Sequence, residues 1–233
     1  MHTTFLYQMG RVGSGSLNAS LYESGIKTTH GHWISDYSNP EFSTPKAKIV
    51  KLIQDSKCQP LKILTPIREP MARNLSAFTF SLIKYGVSGR LETPEELQKL
   101  FIEKYPIEYP DIWFEQELMR TFNFNPFVKK FNYRKGYQFY KIGKHKLLIY
   151  RLENIEQVYN GVLQKFLGVR NLKLLHKSNL GTKKYIGNKY EILKGLSYPE
   201  EFLERVYNLK YVNHFYTERE IDEFKQTWRK GTL

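Results

Sequence analysis

The first apolar block of the chain, Thr4-Phe5-Leu6-Tyr7-Gln8-Met9, is short and rich in aromatic residues, which predicts a buried strand. It runs directly into Gly10-Arg11-Val12-Gly13-Ser14-Gly15-Ser16, after which Leu17 and Leu21 recur at helical spacing. Strand, glycine-rich turn, helix is the opening of a phosphate-binding α/β unit. Ile26 to Thr29 predicts a second short strand, ending in Thr29-His30-Gly31-His32, and Lys46 to Asp55 predicts a helix. Leu61-Lys62-Ile63-Leu64-Thr65-Pro66-Ile67 predicts a third, buried strand. Its proline belongs near the strand end, because it donates no ladder hydrogen bond. Pro70 suits the first turn of a helix that reaches about Ile83.

Further along, Thr93-Pro94-Glu95-Glu96 is a capping box with proline at the first helical position. Ile112 to Phe122 predicts another helix. Tyr137 to Arg151, broken at Gly143, predicts a hairpin or strand pair whose second half, Leu147 to Tyr150, is the fourth core strand. Asn154 to Leu167 is an amphipathic helix stopped by Gly168. Glu200 to Leu209 and Glu218 to Trp228 close the chain as helices, and Thr217 with Glu220 forms a second capping box. There is no internal repeat and no linker long enough to separate domains. The alternation predicts an α/β fold over residues 1–233: a single domain with a parallel sheet flanked by helices.

Composition adds a partner class. Lys and Arg total 36 against 23 Asp and Glu, a net charge of +13. Such a surplus concentrates anions: nucleic acid, acidic glycan, a phosphorylated cofactor or an anionic membrane all fit, and so does plain solubility. No apolar run approaches the ~20 residues of a transmembrane helix, and the N-terminus shows no signal-peptide pattern. The single cysteine, Cys58, leaves no internal disulfide and no cysteine-based metal site. A soluble cytoplasmic protein is expected.

Two segments carry anion chemistry. In the loop, Gly10, Gly13 and Gly15 let backbone N–H groups approach an anion, the helix start adds its dipole, and Arg11, Ser14 and Ser16 add a charge and hydroxyls. An ordinary glycine-rich turn would look similar. A P-loop NTPase needs Lys after the second glycine, where this chain has Ser16, and no apolar strand ends in an Asp suited to Mg²⁺. After the third strand, Arg68 leads into a helix on which Arg73 and Ser76, three apart, share a face. An arginine fork and a hydroxyl suit a terminal phosphate. Arg68 paired with Glu69 is the plain alternative.

With both segments in view, a resemblance emerges. Met9 to Leu17 resembles the 5′-phosphosulfate loop of sulfotransferases. Ile67-Arg68-Glu69-Pro70-Met71-Ala72-Arg73-Asn74-Leu75-Ser76-Ala77-Phe78 resembles their 3′-phosphate motif. Leu148 to Ile155 is similar to the strand and Arg-x-Glu-Asn turn of the same enzymes. Thr29-His30-Gly31-His32-Trp33 resembles the His-Gly-His segment of heparan uronyl 2-O-sulfotransferases. Across residues 4 to 229 the chain is most similar to bacterial proteins labelled as capsular polysaccharide synthesis proteins.

The resemblance implies a P-loop-like sulfotransferase fold. It implies 3′-phosphoadenosine 5′-phosphosulfate (PAPS) as donor, its desulfated product PAP, no metal and no nucleic acid, and a carbohydrate hydroxyl as acceptor. Residues Arg11, Val12, Gly13, Ser14, Gly15 and Ser16 would hold the 5′ end, and Arg68 and Ser76 the 3′-phosphate. Lys183 or Lys184, in a basic loop from Asn179 to Tyr185, would close over the nucleotide. His32 is the implied base, with His30 as its partner or substitute, and Arg11 supports the leaving group. Where many of these enzymes have Lys, this chain has Arg11, which keeps the charge but donates no proton. Glu117 and Glu115 are rival bases. Trp113 and Glu117 are candidate acceptor contacts, although aromatics at helical spacing more often pack in a core. A P-loop kinase and a nonenzymatic binder of acidic glycan or nucleic acid are the competing readings.

Overall fold

The structure, a computed structural model, describes residues 3–33, 59–87, 93–172, 174–175 and 188–231. The expected helix at 46–55, Cys58 and the loop with Lys183 and Lys184 lie outside the described residues. Contacts group the chain into two compact units, each assembled from two stretches: Met1–Arg68 with Ile112–Lys177, and Glu69–Asp111 with Ser178–Leu233.

The first unit is built on five described strands: β1 (Thr3–Tyr7), β2 (Thr28–Gly31), β3 (Leu61–Ile67), β4 (Tyr137–Ile142) and β5 (His145–Arg151). Their order is β2-β1-β3-β5-β4. The first four run parallel. β4 is antiparallel to β5, which corrects the expectation of a parallel sheet. The reason is local: only Gly143 and Lys144 join the two strands, and so short a link cannot make a parallel crossover.

Helices cover both faces of this sheet. In register, Leu6, Leu64 and Leu148 form a row. It packs with Leu17 and Leu21 of α1 (Ser14–Glu23) and with Val158, Leu163 and Phe166 of the helical run 155–167. That run is interrupted where one helix was expected: Asn160 and Gly161 leave helical geometry, Gly161 at φ 125°. On the other face, Tyr7 stacks on Phe5 and meets Trp113 and Phe122 edge-on. Burial on both sides explains why β1 and β3 read as nearly continuous apolar runs. Pro66 is tolerated because the ladder from β1 ends at Leu64; beyond it the Thr65 hydroxyl donates to the Tyr7 carbonyl instead, at 2.8 Å.

The second unit is helical: α2 (Pro70–Phe80), α3 (Pro94–Lys104), then α5 (Lys189–Lys194), α6 (Glu200–Tyr207), α7 (Lys210–Phe215) and α8 (Glu218–Lys230). The helix between, α4, runs over 109–122 with a wide π-helical turn at Phe114–Met119. Both expected capping boxes form, at Thr93 with Glu96 and at Thr217 with Glu220. Glu69 caps α2, accepting from Met71 N at 2.9 Å and Ala72 N at 2.7 Å, while the Tyr207 hydroxyl donates to the same carboxylate. Phe101 is the hub of the core, in ring contact with Phe78, Tyr105, Tyr198 and Phe202.

Candidate functional site

Because β2, β1, β3 and β5 are parallel, their carboxyl ends share one rim. Four segments leave that rim: His32 after β2, the glycine-rich loop after β1, Arg68 after β3 and Leu152 after β5. β2 lies on one side of β1 and β3 on the other, so the chain's crossovers diverge at β1 and β3. In open α/β sheets such a switch point leaves a crevice where ligands bind.

The loop sits at this crevice in an unusual backbone state. Gly10, Arg11 and Gly13 have φ of 86°, 64° and 75°. Glycine takes such values freely; an arginine does so rarely and at a cost. Gly13 is also the N-cap of α1 and brings no side chain to cap its first N–H groups. A helix start without a side-chain cap is a natural seat for an anion. Gly13 has a second constraint that the sequence did not disclose. A Cβ there would come within 2.7 Å of Leu152 Cδ1, so its bareness also makes room for the turn after β5. That turn is braced by Arg151, which donates from Nε to Asn154 Oδ1 at 2.9 Å and from Nη2 to the Tyr133 carbonyl at 2.8 Å.

Arg68 reaches the loop directly: its Nη1 donates to the Arg11 carbonyl at 3.3 Å. Arg73 does not present a phosphate fork. It is buried within the second unit, donating to Tyr105 Oη at 2.8 Å and Asn74 Oδ1 at 3.0 Å with its guanidinium 4.1 Å from the Tyr109 ring centre. Ser76, on α2 of the same unit, is buried at 1% exposure.

The histidines differ slightly from expectation. His30 lies inside β2 and only His32 follows it. Their rings meet edge-on, 5.0 Å apart, and both face Gln8 Nε2, at 2.9 Å from His30 Nε2 and 2.7 Å from His32 Nδ1. Burial, aided by the neighbouring His32, pushes His30 down to about 4, so it is neutral at physiological pH. Gln8 is wholly buried and was missed as a site residue; the signal was a polar amide closing an otherwise apolar strand.

Trp113 and Glu117 are corrected. Both are fully buried, so neither offers a surface to a sugar. The Trp113 ring packs on Tyr7 and Phe114, and its Nε1 donates to the His32 carbonyl at 2.6 Å, anchoring that segment from below. The Tyr7 hydroxyl donates to Glu117, and burial and that carboxylate raise the Tyr7 pKa well above its usual value. Packing chemistry, not solvent-side chemistry, governs both residues. His214 likewise packs on Phe215.

Residues 93–217, more than half of the chain, match the NKWYS family, described as "Putative capsular polysaccharide synthesis protein". The chain belongs to this family. The NKWYS match takes in α4, the β4–β5 hairpin and most helices of the second unit, while the glycine-rich loop, the two histidines and Arg68 precede it. No protein of curated function and no solved structure matches the chain. Among the described residues, no helix is long and apolar enough to cross a membrane, and no group of three or more His, Cys, Asp or Glu could hold a metal ion.

Proposed function

We propose that this member of a capsular polysaccharide synthesis family is a sulfotransferase that moves a sulfuryl group from PAPS to a carbohydrate hydroxyl. The observation that carries the reading is the Arg68 guanidinium held against the Arg11 carbonyl at the β1–β3 switch point. It puts an arginine fork beside a loop that ends in a helix start with no side-chain cap. The donor set is backbone amides, two arginines and serine hydroxyls, which suits phosphate and sulfate oxygens.

When bound, PAPS supplies an electrophilic sulfur whose bond to the 5′-phosphate breaks as an acceptor hydroxyl attacks. The loop from Val12 to Ser16 and Arg11 stabilise charge on the departing phosphate. Arg68 binds the 3′-phosphate, with Ser76 and Lys184 assigned to it by resemblance. His32 takes the acceptor proton, and His30 beside it is neutral at physiological pH. The acceptor is a hydroxyl of a capsular or surface polysaccharide.

Calorimetric titration with PAP tests the reading. PAP should bind in preference to ATP with Mg²⁺, and Arg68→Ala should weaken it by about 1.5–3 kcal/mol, the worth of a charged hydrogen bond. Preference for ATP with Mg²⁺ would point to a kinase. An Arg68→Ala protein with unchanged PAP affinity would remove the donor site.

A further inference from the structure

Gln8 connects the loop to the histidines through a hydrogen-bond arrangement that cannot be satisfied in one state. Its side-chain oxygen accepts from Gly10 N. That fixes the amide, so its nitrogen faces His30 Nε2 and His32 Nδ1. An amide nitrogen has two hydrogens and no lone pair to offer. His30 Nε2 is therefore an acceptor, and the proton of this neutral ring sits on Nδ1. His32 Nδ1 has a second neighbour, the Gln8 backbone carbonyl at 2.9 Å, which can only accept. One ring nitrogen cannot serve both. Protonated, Nδ1 donates to the carbonyl and opposes an amide hydrogen. Unprotonated, it accepts from the amide, and the ring proton moves to Nε2. Only the first form leaves Nε2 able to take a proton from a hydroxyl, because the partner of one ring nitrogen sets the state of the other.

We propose that Gln8 is a positioning residue that sets the tautomer of His32 according to whether the glycine-rich loop holds an anion. While Gly10 N–H occupies the Gln8 oxygen, the amide points at Nδ1 and the His32 proton is kept on Nε2. When Gly10 N–H turns to an anion in the loop, the amide is released. His32 Nδ1 then carries the proton and donates it to the Gln8 carbonyl, and Nε2 becomes the base. The neutral ring has one proton throughout; only the nitrogen that bears it changes. The proposal rests on the donor-site reading and adds a rule to it: the base is armed after the donor has arrived.

Histidine-ring ¹⁵N–¹H correlation spectra of the full chain test it, for the wild type, Gln8→Leu and Gln8→Glu, with and without PAP. The wild type without PAP should show His30 protonated at Nδ1 and His32 at Nε2. Added PAP should move the His32 proton to Nδ1. Gln8→Leu, lacking the amide, should show His32 protonated at Nδ1 before any PAP is added. Gln8→Glu keeps the shape and an acceptor for Gly10, and should do the same should the leucine variant fail to fold. His32 already protonated at Nδ1 in the unliganded wild type, or unmoved in a folded Gln8 variant, would overturn the tautomer rule. PAP binding followed by calorimetry on the same samples separates the two ideas. Absence of binding removes the donor reading and the loop coupling, while the unliganded spectra still decide whether Gln8 sets the tautomer. Binding with no change at His32 overturns the coupling and leaves the donor site standing.

Discussion

Arg11 stands at φ 64°, where a side chain costs about 1–2 kcal/mol relative to ordinary backbone. Such strain persists where function holds it in place. Arg11→Gly should therefore raise stability by up to about 1 kcal/mol in urea unfolding, after allowing for glycine's extra freedom in the unfolded chain, and should weaken PAP binding in the same preparation. A variant that binds PAP as the wild type does would mean the arginine serves only the turn. The loop was legible because its glycines and serines are dense in a short span. The contact between Gly13 and Leu152 was not, since it depends on a turn about 140 residues away in the chain, and nothing in the spacing marks Arg11, and not only the glycines, for a positive φ. His30 gives a pH prediction. Its ring titrates at about 4 in the fold, whereas an unfolded histidine titrates near 6.5. The unfolded chain thus binds the proton more readily across that window. The stability contributed by the neutral ring is fully present above roughly pH 6.5 and is lost as pH falls through about 4. Urea midpoints taken across that window should fall more steeply for the wild type than for His30→Gln; parallel slopes would contradict a buried neutral His30.

Among elements, α2 depends on a single carboxylate. Glu69 satisfies two of its opening N–H groups and receives the Tyr207 hydroxyl. Glu69→Ala should cost about 1–2 kcal/mol from the lost cap, and Tyr207→Phe about 1 kcal/mol from the lost hydrogen bond. The two losses should be less than additive in a double-mutant cycle, because they share one group. The sheet holds an opposite case. Lys62, Lys146 and Lys141 are register partners on three adjacent strands, β3, β5 and β4. Like charges facing each other destabilise a sheet. Burial and then Lys146 lower the Lys62 pKa, and Lys62 Nζ donates to the Leu167 carbonyl at 2.7 Å. Lys146→Glu should raise stability by about 0.2–1 kcal/mol, less at high salt. Elements announced by local chemistry, such as the two capping boxes and the Gly143 hairpin, could be read from the sequence. α7 could not: its first N–H groups, Lys210 N and Tyr211 N, are held by Asp111 at 3.1 and 2.7 Å, a partner remote in sequence. The interruption at Asn160 and Gly161 was hidden by an apolar spacing that stays helical across it.

On the scale of the whole chain, the family match and the folding units do not coincide. The span 93–217 holds β4 and β5 without β1, β2, β3 or α1, and α5 and α6 without α2 and α8, against which they pack. A lone hairpin is at best marginally stable. The excised 93–217 segment should therefore show no cooperative urea transition by circular dichroism, while the full chain shows one. A sharp transition in the segment would mean that its interior is complete without β3.

Interleaving also dictates the order of assembly at the ribosome. β3 is synthesised about eighty residues before β5 arrives to cover its flank, and Glu69, which opens the helical unit, precedes Tyr207 by 138. At roughly 5–20 residues per second, the nascent strand waits for several seconds with an apolar edge uncovered. Neither half can close before most of the polypeptide has emerged, so maturation is a late, joint event that leaves a window for chaperones to act.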